Sequence, residues 1–448
     1  MRGPDPGELA ARVEAAMAAH VVPGVALGVV DGADERTWAF GTTNVEHPLP
    51  VDADTVFEIA SITKTMTATV AAGLASEGRL DLDAPVRRYI PAFRVLDPEV
   101  SEQVTVRDLF THTAGWFGEY LPPSGHGADA IAQAVAAMAE LAQTSPAGTF
   151  SYNNVSLVLA GRVIEVVAGR PYEQVVRERL FEPLGMTRSA FRAEDVLYER
   201  LAAGHTVRDG RPVPVRGRLG EGSGGAPVGG VRSTVHDLLR YARFHLGTGP
   251  EGPGGDPPHI PATALAAMRE PRVSMGPVGS VGLAWFLEDR GGRMIASHGG
   301  ATVAHMSQLV LVPACQAGIV ILTNGANGAR LCAEVAEWLV TEWLGLPRRA
   351  VPAPLDAQPP LGPYVGRYAA PLSDITLGDE GGRLVLRLAW KGSVAERPTP
   401  APLRLAFTAD DTVIAAAGDP PPMGDFIRDG SGGIAYFRWG GRARRKVS

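Results

Sequence analysis

The sequence predicts an α+β fold of mixed α/β layers, an antiparallel sheet flanked by helices with an all-helical insertion, followed by a small antiparallel β domain. Three observations predict it. Two apolar strand-like runs near the N-terminus (24–31 and 36–41) are answered by four more between 281 and 323. The stretch between the two groups carries mainly helical spacing, which excludes a chain of alternating strand–helix units. A proline-rich segment, "LPRRAVPAPLDAQPPLG" (346–362), then precedes a run of short strand-like segments.

The elements follow in order. Leu9, Val13 and Met17 recur at helical spacing, predicting a helix over 8–19. "GVALGVVD" (24–31) is almost wholly apolar, as in a strand covered on both faces, and "RTWAFG" (36–41) pairs with it. Helices are expected at 61–77, 128–142, 155–168, 171–181 (Pro171 in its first turn) and 234–246, with Ser233 as cap of the last. Strands are expected at 281–288, 293–298, 306–313 and 317–323, and a closing helix at 330–343. The chain therefore divides into 1–345, a linker 346–362, and a β domain 363–448. In that last part "YVGRY", "RLVLRL", "LRLAF", "TVIAA", "DFIRD" and "AYFRW" are separated by Gly, Asp and Pro turns, as in a small antiparallel sheet or barrel. The arginine-rich end, "GGRARRKVS", reads as a solvated tail.

Composition narrows the function. With 45% hydrophobic and 20% charged residues the chain is globular, and a net charge of -6 gives no basic face for nucleic acid. No apolar run reaches the roughly 18–20 residues of a membrane span. Asp5, Glu8 and Glu14 interrupt what would be a secretory leader, so a cytoplasmic location is expected. Cys315 and Cys332 lack metal or redox spacing and read as reduced core residues; the ten histidines lack ligand spacing, so neither metal nor cofactor is expected.

Three lysines occur in the chain, Lys64, Lys391 and Lys446; every other basic residue is arginine. Lys64 stands in "SITKTMTA", three residues after Ser61 at a helix start. Lysine can surrender its proton where arginine cannot, and positions i and i+3 share a helix face. Ser61 is thus a candidate nucleophile, Lys64 its base, and free N–H groups at the helix start a place for an oxyanion. In "FSYNNVSL" Tyr152 is a candidate proton carrier, its phenolate steadied by Lys64, and Asn154 a donor to a substrate carbonyl. In "RMIASHGGATVAH" His298 ends a strand as a candidate proton donor or leaving-group orienter, and Gly299 and Gly300 admit close approach of a ligand. The glycine-rich "EGSGGAPVGG" (221–230) lacks the strand and Lys-Ser/Thr ending of a phosphate loop.

An early S-x-x-K, a central Tyr-x-Asn and a late His-Gly-Gly together resemble the serine β-lactamase and penicillin-binding-protein superfamily, in its class C-like branch of esterases, D-aminopeptidases and D-Ala-D-Ala peptidases. The phrases "EGRLDLDAPVRRYIP", "VTVRDLFTHTAGW", "EPLGMTRSAF" and "PVGGVRSTVHDLLRYARF" extend the likeness over about residues 8–345. Its third motif is commonly Lys-Thr-Gly; the histidine form here points toward the esterase and peptidase members. The resemblance implies a sheet with a helical domain and the site between them, Ser61 as nucleophile, Lys64 and Tyr152 as the base system, Asn154 and the glycines as substrate contacts, and backbone N–H groups of Ser61 and Ala301 as the oxyanion hole. It makes His112 of "THTAGW" a structural loop residue. Catalytic and β domains together also resemble penicillin-binding-protein-type thioesterases that release and cyclise nonribosomal peptides, and the β domain is expected to be a small lipocalin-like barrel. That reading lets Arg442 fold over the cleft to hold a carboxylate. The implied partner is a small-molecule or peptide substrate, carrier-bound in the cyclising case; a non-catalytic binding protein is the reading from another class. The oligomeric state is not encoded in these motifs.

Overall fold

The computed structural model describes residues 3–119, 125, 127–216, 223–249, 260–418 and 421–447. Residues 221 and 222 of the glycine-rich segment lie outside the described residues.

Helix α1 (Pro6–His20) starts where the Asp5 side chain accepts from the N–H groups of Gly7 and Glu8, and ends at Val21 in the left-handed region. Strands β1 (Gly24–Asp31) and β2 (Asp34–Gly41) form a hairpin. Helices α2 (Thr63–Ser76), α3 (Val155–Ala168) and α4 (Val235–Leu246) dominate the insertion. The chain then returns through β3 (Val273–Ser274), β4 (Ser280–Val281), β5 (Phe286–Asp289), β6 (Met294–Ala301), β7 (Met306–Val312) and β8 (Ala317–Thr323) to helix α5 (Gly328–Trp338). One eight-stranded sheet results, ordered β2-β1-β8-β7-β6-β5-β4-β3, with every adjacent pair antiparallel.

The sheet has a core on each face, which explains why β1 and β8 are apolar without alternation. Val235, Leu238 and Leu239 of α4 close one face together with α2 and α3. Leu9 and Val13 of α1 and Leu331 and Val335 of α5 close the other.

Two expectations in this part need correction. The strand expected over 281–288 is two short strands, β4 and β5. Between them the N–H groups of Leu283 and Ala284 donate to Met268 and Phe110 carbonyls, contacts that the local pattern cannot show and that draw the chain out of the ladder. The cap of α4 is Thr234, whose side chain accepts from Asp237 N–H; the Ser233 hydroxyl meets Ser189 instead.

The proline-rich segment is held on the surface by ion pairs. Arg349 contacts both carboxylate oxygens of Glu288, at 2.9 and 2.6 Å, and Arg290 joins Glu288 to Glu337 of α5. Beyond it a closed barrel runs β9 (Gly366–Ala370), β10 (Ser373–Asp379), β11 (Leu384–Trp390), β12 (Leu403–Ala409), β13 (Thr412–Ala415), β14 (Met423–Arg428), β15 (Ile434–Trp439) and β16 (Arg442–Lys446), each strand paired with the next in sequence. Tyr364, Tyr368, Phe407, Phe426 and Phe437 fill its interior in mutual ring contact. The arginine-rich end is not a solvated tail: β16 pairs back onto β9, and Ala443 and Arg444 are buried. The charge of successive arginines hides an ordinary strand, because Arg444 lays its stem inward and bonds Ser373 Oγ.

Candidate active site

Ser61 lies in a single 3-10 turn, Ala60–Ile62, that runs directly into α2. Ala60 takes φ 47°, a left-handed conformation costly for a residue with a side chain. Neighbouring strands hold it there: Ile59 N–H donates to Val231 O, and Ser307 Oγ donates to Ile59 O at 2.9 Å. Gly300 of β6 completes the clamp. A Cβ at that position would sit 2.1 Å from Ile59 O and 2.3 Å from Ser307 Oγ, so only glycine lets the strand press against this turn. The requirement for glycine at 300 therefore arises from the nucleophile's turn rather than from a ligand. Ala301 follows Gly300 as the exposed last residue of β6.

Lys64 is fully buried, and its Nζ lies 2.7 Å from Ser61 Oγ and 2.9 Å from Val228 O. The carbonyl can only accept, so one amine N–H is committed to it. Val228 belongs to a short helix, Ala226–Gly229, that reaches Lys64 because Gly161 of α3 leaves room for Pro227; a Cβ on Gly161 would meet Pro227 Cγ at 2.2 Å. Lys64 Nζ also lies 5.2 Å from the Tyr152 ring centroid.

Tyr152 is packed by rings: His112 at 4.7 Å, Phe286 at 6.0 Å and His298 at 6.2 Å between centroids. His298 stacks on Phe286 at 4.7 Å and 21°. Its Nδ1 lies 2.6 Å from Gly299 O and must donate to it, which leaves Nε2 as a buried acceptor with no partner among the described residues. Burial, and then the charge of Lys64, push the His298 pKa down to about 3. The ring is therefore neutral at physiological pH, an acceptor at Nε2, which suits the orienter rather than the proton donor of the two parts the sequence offered for it. His112 is also held neutral, by burial first and then by Lys64 and His298. It sits in the left-handed region at a helix C-terminus and joins residue 153 through its Nδ1, in keeping with a structural part.

The two asparagines after Tyr152 divide the work. Asn153 is buried; its Oδ1 accepts from Ser156 N–H and its Nδ2 donates to Trp116 O, so it caps α3. Asn154 is partly exposed and makes no capping bond, although it occupies the position from which a cap is usually made.

The barrel reaches into this site, which no local pattern announced. Gly441 O accepts from Tyr152 N–H at 2.9 Å, Ser151 Oγ accepts from Ala443 N–H at 3.1 Å, and Arg438 Nη1 donates to Phe150 O at 3.1 Å. Arg442 lies over the Tyr152 ring, its Cζ 5.1 Å from the centroid. Its nearest carboxylate is Glu119, 3.4 Å from Nε, yet that buried Nε makes no hydrogen bond among the described residues. Gly118, Glu119, Thr144, Ser151, Tyr152, and Arg442 line a narrow crevice here. A separate cavity of about 230 Å³, lined by Glu173, Arg177 and Arg188 among others, shares no residue with the constellation. Among the described residues no cluster of three or more His, Cys, Asp and Glu is placed to hold a metal ion. No helix there is long and apolar enough to cross a membrane.

Comparison with known proteins gives the family and the fold. The beta-lactamase family profile matches residues 9–338. Penicillin-binding protein 4 of Amycolatopsis lactamdurans is 32% identical over 377 residues, covering 80% of this chain and 97% of that protein. A beta-lactamase of Lysobacter lactamgenus is 30% identical over 241 residues, covering 53% of this chain and 60% of that protein. Among solved structures, SurE superimposes with a TM-score of 0.77 at 26% identity, covering 98% of this chain and 99% of that one. SurE with D-Leu gives 0.74 at 25% identity over the same shares.

Proposed function

Since the chain belongs to the beta-lactamase family, whose members with this fold include penicillin-binding-protein-like serine hydrolases, we propose that it transfers acyl groups through an acyl-enzyme on Ser61. The observation that carries this reading is the buried Lys64 amine 2.7 Å from Ser61 Oγ and beside the Tyr152 ring.

In the neutral amine one N–H donates to Val228 O while the lone pair accepts the Ser61 proton. Ser61 Oγ then bonds to the substrate carbonyl carbon, and its oxygen becomes an oxyanion facing the backbone N–H groups of Ser61 and Ala301. The carbonyl reforms as the bond to the leaving group breaks, and Tyr152 passes the proton to that group. A second nucleophile gives its proton back through Tyr152 and Lys64, takes the acyl group, and restores Ser61. Asn154 and the Gly299–Gly300 edge orient the substrate carbonyl, and neutral His298 accepts a hydrogen bond at Nε2 rather than transferring a proton.

The acyl donor we put forward is an ester, thioester or amide of a peptide or D-amino acid. Support comes from SurE, which resembles this chain along nearly its whole length and has been solved with D-Leu. A second reading, release of a peptide thioester by head-to-tail cyclisation, is favoured by the barrel residues beside Tyr152, where an acceptor amine would arrive. Arg442 faces the substrate in both readings, the cytoplasm is the expected compartment, and a carrier-bound peptide is the partner of the second.

The test is to offer a linear peptide thioester ending in a D-residue and weigh the product. The mass of the linear acid means hydrolysis; one water less means cyclisation. Ser61→Ala should abolish turnover with folding intact. Lys64→Arg, which keeps the charge but has no proton to give up, should lower it about a thousandfold or more. Ordinary activity in Lys64→Arg, or a phosphonate or fluorescent penicillin that fails to label Ser61, would leave a binding protein on this fold.

A further inference from the structure

We propose that Glu119 sets the leaving-group class of this enzyme: by neutralising Arg442 beside Tyr152, it disfavours leaving groups that end in a carboxylate and favours neutral ones. The inference rests on the acyl-transfer reading and narrows it.

The argument begins with position. The leaving group departs on the Tyr152 side of the acyl-enzyme, and the charged side chains that the crevice presents there are Glu119, Arg442 and Arg444. Arg444 is held inside the barrel by Ser373 Oγ and by the carbonyls of Trp439 and Arg442, which fix its head there but leave its charge, and Glu119 acts on that charge too. Of the crevice cations Arg442 is the one that lies against the Tyr152 ring, and on charge alone it would attract a carboxylate. Glu119 stands 3.4 Å from its Nε, in the place such a carboxylate would take.

The pair is close but not bonded. Arg442 Nε makes no hydrogen bond to Glu119 or to any other described residue. A bonded pair would lock Arg442 and close the crevice. An unbonded one cancels its charge while leaving the guanidinium N–H groups able to donate to an uncharged acceptor. An incoming carboxylate meets the charge of Glu119 at short range, in a crevice where both side chains are partly exposed (29% and 27%), so the repulsion acts there but salt can still screen it. The neutral leaving group of a thioester, ester or primary amide meets no such opposition. Glu119 is thus a specificity-determining residue, not a catalytic one.

The experiment uses the full chain and two thioesters of one acyl peptide. One releases propanethiol; the other releases 3-mercaptopropionate, which carries the carboxylate. The reading is the ratio of kcat/KM, charged over neutral. In the unaltered protein it lies below one. Glu119→Gln should raise it about fivefold or more, and Arg442→Gln should lower it further. In the unaltered protein the ratio should also climb with ionic strength, a reading that needs no variant to fold. A ratio that stays within twofold in Glu119→Gln, or that ignores salt, overturns the assignment while acyl transfer stands. No Ser61-dependent turnover of either thioester overturns the acyl-transfer reading itself, and the assignment with it.

Discussion

At the scale of single residues, neighbours of the same type have been given different tasks. Asn153 and Asn154 are adjacent, yet one is buried in the frame and the other is partly exposed and makes no capping bond. Replacing Asn153 by Ala removes a cap from α3 and leaves Trp116 O and Ser156 N–H without their partner. The expected cost is about 1–3 kcal/mol, read as a lower midpoint in urea unfolding. Asn154→Ala removes no bond from the folded protein and should leave that midpoint in place, while turnover falls about a hundredfold. The reverse result would mean that the roles are exchanged. The motif Tyr-x-Asn was legible because spacing alone picks out Asn154. The part of Asn153 was not, since its partner Trp116 lies 37 positions away and nothing local links them. The same holds for Lys64. Its scarcity drew attention in the sequence, but Val228 O, 164 positions on, is what fixes the amine.

At the scale of elements, the barrel is part of the frame of the active site. The loop segment that ends at Tyr152 is tied by Arg438, Gly441 and Ala443, all from the β15–β16 hairpin or its flanks. Arg438 is also paired through two bonds with Asp425, at 2.8 and 2.6 Å, and is nearly buried. Truncating one member of a buried pair strands the other, so Arg438→Ala should cost about 3 kcal/mol or more. Because Phe150 O loses its donor as well, kcat should fall further than the loss of folded protein explains. An Arg438→Ala protein of normal kcat would show that the barrel is a passive neighbour. The sequence revealed six of the eight barrel strands through alternation of apolar and polar residues. It concealed β10, where Asp374 and Gly378 interrupt the run, and β16, where arginine stands at a buried position. Charge conceals a strand whenever the stem, not the head, does the packing.

At the scale of the whole molecule, the two-faced sheet was legible because a strand buried on both sides must be apolar throughout, and β1 and β8 are. The histidines were not, since burial of a polar ring depends on contacts far apart in the chain. His112, His245, His298 and His305 are all buried, and burial lowers the pKa of each, to about 3 for His298 and about 4 for His305. These groups bind protons in the unfolded chain near its ordinary value of 6.5 but resist doing so when folded. Between that value and the folded values the unfolded state therefore holds more protons, and stability rises with pH. Acidification removes it progressively from about pH 6.5 down toward pH 3. A single histidine of this kind contributes roughly 3 kcal/mol of destabilisation at pH 4. Glu288 and Glu337, whose carboxyls the neighbouring Arg290 and Arg349 hold low, act in the same direction at the acid end of that window. Asp237, raised by burial, opposes them as one group against many. Thermal unfolding followed by circular dichroism should thus show a melting temperature that drops steeply between pH 6.5 and 4 and is nearly level from 7 to 8. Replacing His245 by Gln, which keeps a donor for Thr69 and an acceptor for Arg269 without a titrating ring, should flatten that slope by one histidine's share. An unchanged slope in His245→Gln would mean that the acid sensitivity resides in the surface carboxylates instead.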